Sequence, residues 1–254
     1  MPKLLNEMKE GGIVGAVVWG RTTHEPNSST TNEDVAAIVK EHGDVFLAGF
    51  GGICPKKGQI GETLDEIDRC VDALGLRGIT LEPSIGMRPL TVADDPILYP
   101  IYERIQKRGL ILALTISRGG HPEQTLRHSN PEAVDRVAGD FPKMKIVVSH
   151  SFWPWTEQSC GLALRRNNVY LHPDLYGMGM PGTREWVEAA NSYLQDRMLF
   201  GSAYPYLGVK EMAQSYLKLP YRPEVLEKVM YKNAARLLAL PHEGDQLKTT
   251  HGYE

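Results

Sequence analysis

The sequence predicts an α/β fold of consecutive strand–helix units, either an open doubly wound sheet or a (β/α) barrel whose first strand is missing. Three observations carry this reading. Strand-like apolar runs recur at spacings of about 25 to 35 residues, each followed by a helix-period stretch, which is the pattern of right-handed βαβ units. The run Ile146-Val147-Val148 shows no apolar/polar alternation, as expected of a strand covered on both faces in a parallel sheet. A chain of 254 residues, 42% hydrophobic and 23% charged, is long enough for one barrel-sized core.

Seven such runs are visible in order. An amphipathic helix over Met1–Glu10, with Leu4, Leu5 and Met8 on one face, stops at Gly11-Gly12 and leads into a strand over Ile13–Trp19. Thr30 and Glu33 have capping-box spacing before Val35–Val39; Gly43 ends that helix and Val45–Phe50 is the second strand. Thr63 and Glu66 repeat the device for a helix to about Leu74, and the strand Gly78–Leu81 ends at Glu82-Pro83. Asp94-Asp95-Pro96 opens a helix through Arg108, followed by Leu110–Leu114. Asn130-Pro131 caps a helix ending near Asp140, and Lys145–Val148 and Val169–Leu171 are the fifth and sixth strands. Thr183–Gln195 reads as helix, Met198–Phe200 as a short seventh strand, and helices over 209–218 and 223–238 close the fold. Residues 1–240 are read as a single domain and 241–254 as a polar tail.

A net charge of -3 without a Lys/Arg block argues against a nucleic acid or an anionic membrane as partner. Cys54, Cys70 and Cys160 are odd in number, widely spaced and without a CxxC pair, so neither a disulfide framework nor a zinc knuckle is indicated. A cytoplasmic location is expected. No apolar run approaches about 18 residues and no signal peptide is read.

The stretch Lys145–Trp155 delivers His150 to the carboxyl end of a buried strand, where barrels and open α/β sheets build their sites. Other polar residues follow strands toward the same rim. They are His24 and Glu25, Glu82, Arg118 and His121, His172 and Asp174, and Tyr204 and Tyr206. With Trp153 and Trp155 they suggest an aromatic-lined pocket. Each also has an ordinary role open to it: Asp174 can cap a turn, Arg118 can pair with surface carboxylates, and the tyrosines can pack.

Three segments resemble the amidohydrolase-related family, the second amidohydrolase family that includes aminocarboxymuconate-semialdehyde decarboxylase-like enzymes. They are Asn168-Val169-Tyr170-Leu171, the run from Arg197 through Gly201-Ser202-Ala203-Tyr204-Pro205, and Tyr231–Leu238. Leu5–Met8 with Gly11-Gly12, and Asp95–Tyr99, fit the same family. The resemblance implies a TIM-like barrel, here with seven strands visible and the first family strand absent. It also implies, in many members, a divalent metal held by a His-x-His pair on strand 1, a histidine after strand 5, often one after strand 6, and an aspartate after strand 8. By that match His150 is the strand-6 histidine, Thr115 stands for the strand-5 histidine and Ala203 for the aspartate. One retained ligand falls short of the usual three, so no cofactor is expected. The alternative is a single Zn or Mn ion, if the polypeptide carries its His-x-His strand upstream.

The resemblance makes a metal-independent hydrolase the first expectation, acting on a small cyclic or aromatic carboxylic acid or a lactone. In it His150 and His172 serve as general acid/base and Arg118 holds a carboxylate or enolate oxygen, with Glu82, His121, Trp153, Asp174, Tyr204 and Tyr206 binding substrate. Decarboxylation is the second expectation, and a catalytically silent ligand- or partner-binding barrel the third. Without the family's first strand, Ile13–Trp19 and Arg197–Phe200 present unpaired backbone. The two strands are therefore expected to close together or to be covered by a partner chain, which makes a homo-oligomer the expected state.

Overall fold

Six parallel strands organise the protein, whose computed structural model describes residues 1–116 and 122–240. The strands are β1 (Ala16–Trp19), β2 (Phe46–Ile53), β3 (Gly78–Leu81), β4 (Ile111–Thr115), β5 (Lys145–Ser149) and β6 (Val169–His172), hydrogen-bonded in sequence order. Helix α1 (Pro2–Glu10) precedes them. Helices α2 (Asn32–Glu41), α3 (Ile60–Asp72), α4 (Tyr99–Lys107), α5 (Glu132–Asp140) and α6 (Thr156–Arg165) make the crossovers. Four more follow: α7 (Thr183–Asn191), α8 (Val209–Tyr216), α9 (Pro223–Glu227) and α10 (Asn233–Leu237).

Residues two apart share a face of a strand, and the two faces feed different cores. Ile79, Leu81, Leu112, Leu114, Ile146, Val148 and Leu171 pack outward against the helices. Ala48, Phe50, Ile111, Ala113, Val147 and Leu199 pack inward with Val17, Trp19 and Tyr170, and Leu237 and Leu238 join them. Both faces of the central strands are therefore apolar, which is why Ile146-Val147-Val148 shows no alternation.

The expected seventh strand is corrected to a single bridge. Met198 bridges Leu171, with Leu171 N–H donating to Arg197 O (2.9 Å) and Leu199 N–H to Leu171 O (2.8 Å). On its other edge helical residues take the place of a ladder. Phe200 N–H donates to Val229 O (2.9 Å), and the buried Asn233 side chain donates to Met198 O (2.8 Å) and Gln195 O (2.9 Å). Val229 lies in a π-helical turn, Lys228–Lys232, that divides the expected 223–238 helix into α9 and α10. No ladder joins β1 to this segment among the described residues, and all four residues of β1 are only half-buried. In the helical layer beside this gap, α1 meets α8. Glu7 accepts from Val209 N–H (3.2 Å), Lys210 pairs with Glu10 (2.7 Å), and Met8, Phe46 and Val209 form a small core.

Two helix starts also move. The N-cap of α2 is Thr31, which accepts from Asp34 N–H (3.1 Å), one residue beyond the expected cap. Helix α3 begins at Ile60, so Thr63 lies inside it. No helix among the described residues is long and apolar enough to cross a membrane.

Candidate active site

Strand register decides which side chains meet at the carboxyl rim. Thr115 pairs with Ser149, and Ser149 with His172. Glu82 is two residues past the inward-phase Thr80, just beyond the pair Leu81–Leu114, and Arg21 is two past Trp19. Continuing the alternation one step off each strand thus places Arg21, Glu82, Thr115, Ser149 and His172 on the inner rim.

At the β5–β6 side the rim carries a carboxylate between two imidazoles. Asp174, 1% exposed, lies 2.9 Å from His150 Nδ1 through Oδ1 and accepts the backbone N–H of His150 through Oδ2 (3.0 Å). His172 Nδ1 is 3.3 Å from Asp174 Oδ2 but is not aligned for a hydrogen bond, and it is a buried atom without a hydrogen-bond partner among the described residues. Burial pushes the Asp174 carboxyl up. Contact with His150 and His172, and the positive charge either can carry, outweigh that push and hold its pKa below the ordinary 3.8. Because the ionised carboxylate only accepts, His150 Nδ1 must carry the hydrogen, which leaves Nε2 as the acceptor.

The two histidines differ in freedom. His172 stacks on Trp19, ring centroids 5.6 Å apart, and Trp19 stacks on Phe50 at 5.9 Å. Its Nε2 rests over Gly201, where a Cβ would fall 1.4 Å away. His150 keeps 20% of its side chain exposed and meets Tyr176 edge-on at 5.3 Å. Strain gathers here. Left-handed backbone at His150, Ser151, Phe152, Asp174 and Ala203, all non-glycine, marks the ends of β5, β6 and the segment that follows α7. From the helical layer, the buried Tyr216 donates to Asp174 O (3.0 Å) and fixes the turn.

On the β1–β3 side, Arg21 Nε lies 3.0 Å from both Glu82 oxygens and its Nη2 lies 2.9 Å from Oε2, while Nη1 donates to Ser28 O (2.9 Å). Trp153 stacks on Tyr176 at 4.9 Å and donates through Nε1 to Pro181 O (3.0 Å). Tyr204 and Tyr206 follow the left-handed turn at Ala203 and are exposed, Tyr206 to 86%. His24 and Glu25 are exposed on the loop after β1. Arg118 and His121 lie outside the described residues.

Two hollows flank the centre without including His150, Asp174 or Glu82. One, about 310 Å³, is lined by Thr22, Thr23, Asn32, Cys54, Lys56 and Glu66 among others. The other, about 240 Å³, lies between the starts of α6 and α7. Arg21, Trp19, Tyr176 and Tyr216 were not foreseen as site residues. Arg21 had a readable signal, the in-phase series Val17, Trp19, Arg21, whereas Tyr216 reaches the site only through tertiary packing.

Among the described residues no group of three or more His, Cys, Asp or Glu side chains is placed to hold a metal ion. Nδ1 of each histidine faces Asp174, which leaves their Nε2 atoms as the candidate ligands; with no donor at Ala203, the described residues fall short of the three protein ligands a divalent ion usually takes.

Residues 4–240 match the Amidohydro_2 (Amidohydrolase) family, and the chain belongs to that family. It is similar to a solved TIM-barrel protein of Bordetella bronchiseptica, described as uncharacterized, at 36% identity over 92% of this chain and 81% of that one (TM-score 0.83). A 2,6-dihydroxybenzoate decarboxylase from Rhizobium shares the fold at 15% identity, covering 93% of this chain and 87% of that one (TM-score 0.72). A 2-keto-4-carboxy-3-hexenedioate hydratase from Sphingobium is 25% identical over 49% of this chain and 40% of its own length, so the chain spans less than half of that relative. Decarboxylation and hydration are lyase reactions, so the reactions named for these two proteins stand nearer to the second expectation, decarboxylation, than to the first.

Proposed function

We propose that the protein is a lyase acting on a small aromatic or unsaturated carboxylic acid, with decarboxylation as its reaction and His150 as its proton carrier. The observation that carries this reading is the His150–Asp174 pair. A buried, ionised carboxylate fixes Nδ1–H and leaves Nε2 of a partly exposed imidazole as its acceptor. In the protonated state, Nε2 delivers a proton to the ring carbon that bears the carboxylate. The carbon–carboxylate bond then breaks, its electron pair restores the ring and CO₂ departs. Asp174 offsets the imidazolium charge and holds the ring in one tautomer, acting through His150. The same pair supports hydration of a carbon–carbon double bond, with His150 accepting the proton of the attacking water and returning it to the adjacent carbon as the hydroxyl bond forms, and the relative named as a hydratase favours this second reading.

The experiment is turnover in D₂O of a panel of ortho-hydroxylated aromatic acids that includes 2,6-dihydroxybenzoate, followed by mass spectrometry. Release of CO₂ with one deuterium on the vacated carbon, lost in His150→Ala, supports the reading. Turnover unaffected by His150→Ala, or none on any acid, sinks it.

A further inference from the structure

We propose that Arg21 is the anion anchor of the site and that Glu82 occupies, in the unliganded protein, the slot a substrate carboxylate takes. This rests on the acid-substrate reading above and deepens it. Arg21 continues the inward series Val17, Trp19, and Trp19 is the residue whose indole stacks on His172, so Arg21 stands one layer above the ring that contacts Asp174. It reaches the rim from the strand facing β6 across the unpaired gap.

The way the guanidinium is held favours exchange. Nη1 is tied to Ser28 O, a backbone group that stays when a side chain leaves. The Nε and Nη2 edge, whose fork matches a carboxylate, is the edge that Glu82 covers. Arg21 keeps 38% of its side chain exposed, so an incoming anion can reach that edge without opening the core. The Glu82 oxygens have no other hydrogen-bond partner among the described residues, so the swap breaks one pairing and makes an equivalent one. Competition from Glu82 also has a catalytic use. A cation that grips the departing carboxylate stabilises the ground state, and an internal competitor tempers that grip. After CO₂ is lost, Glu82 returns to Arg21 and the neutral product has no anchor.

A structural ion pair and a competed anchor give opposite signs for Glu82. The test is equilibrium binding of 2,6-dihydroxybenzoate and of resorcinol, its carboxylate-free counterpart. The protein is the full chain in a His150→Ala background that blocks turnover, with and without Arg21→Gln, Arg21→Lys and Glu82→Gln; thermal melting checks folding. We expect Arg21→Gln to weaken the acid by about ten- to hundredfold while leaving resorcinol unchanged. Arg21→Lys is expected to recover part of that loss, and Glu82→Gln to tighten the acid about two- to fivefold. The proposal is overturned if Glu82→Gln weakens the acid as Arg21→Gln does, if neither changes it, or if the acid does not bind at millimolar concentration. Arg21-dependent binding without turnover by the native protein removes the lyase reading and leaves the anchor standing. His150-dependent turnover with binding indifferent to Arg21 does the reverse.

Discussion

His150 meets Asp174 twice, through its backbone N–H at 3.0 Å and through Nδ1 at 2.9 Å, each bond ending on a different oxygen of one carboxylate. The first bond fixes the left-handed turn that ends β5, and the second fixes the ring borne by that turn. Backbone and side chain are thus set by one buried group in the turn that follows the neighbouring strand.

That double contact makes Asp174→Asn a sharper probe than a charge deletion elsewhere. An amide can donate to His150 Nδ1 and favour the other tautomer. Turnover is expected to fall about 10²- to 10⁴-fold, as for loss of a positioned acid/base group, with substrate binding changed far less. Separate kcat and KM values for Asp174→Asn and His150→Ala check this.

Stability should respond to acid through the same residue. The folded pKa of Asp174 is lowered below its ordinary 3.8, so its contribution is complete above that value and is lost as pH falls through the lower, folded one. Urea denaturation between pH 2.5 and 6 should show a shallower acid slope in Asp174→Asn than in the native chain. Equal slopes would mean that the carboxylate is not stabilised by its neighbours.

Gly201→Ala should disturb the site without replacing a polar side chain. Its Cβ would fall 1.4 Å from His172 Nε2, so the ring must leave its stack on Trp19. Overpacking of this kind costs about 1–3 kcal/mol. Tryptophan fluorescence and thermal melting read the two consequences together.

Asn233→Leu tests how the chain manages its missing ladder. Removing the amide strands the carbonyls of Gln195 and Met198, at a cost of about 1–3 kcal/mol for each buried group left unpaired. Denaturant unfolding should show the loss. A change under about 0.5 kcal/mol would place the stabilisation of that edge elsewhere.

The strand ends were legible in the sequence because both cores are apolar; the period of two carries Glu82 and His172 to the inner rim, whereas His150 falls out of that phase and is placed by the left-handed turn that ends β5. The seventh strand was misread for a physical reason. Met198-Leu199-Phe200 has strand composition, but its outer backbone groups are met by Val229 and Asn233 from the closing helix, and no local pattern records that long-range pairing. Arg21 is inconspicuous in the sequence because an arginine after a strand resembles any solvated loop cation, and its contact with Glu82 shows where its fork points. Thr30 and Glu33 have correct capping-box spacing, yet Thr31 caps through Asp34, since two threonines in succession offer the same chemistry one residue apart.

The central claim, that Asp174 sets His150 up as a proton carrier with Nε2 free, is tested most directly by long-range ¹H–¹⁵N NMR of the imidazoles in the native chain, with His150 assigned by His150→Ala. The account predicts that neutral His150 carries its hydrogen on Nδ1 and that Asp174→Asn abolishes this preference. A native His150 protonated on Nε2 and bare at Nδ1 would contradict it.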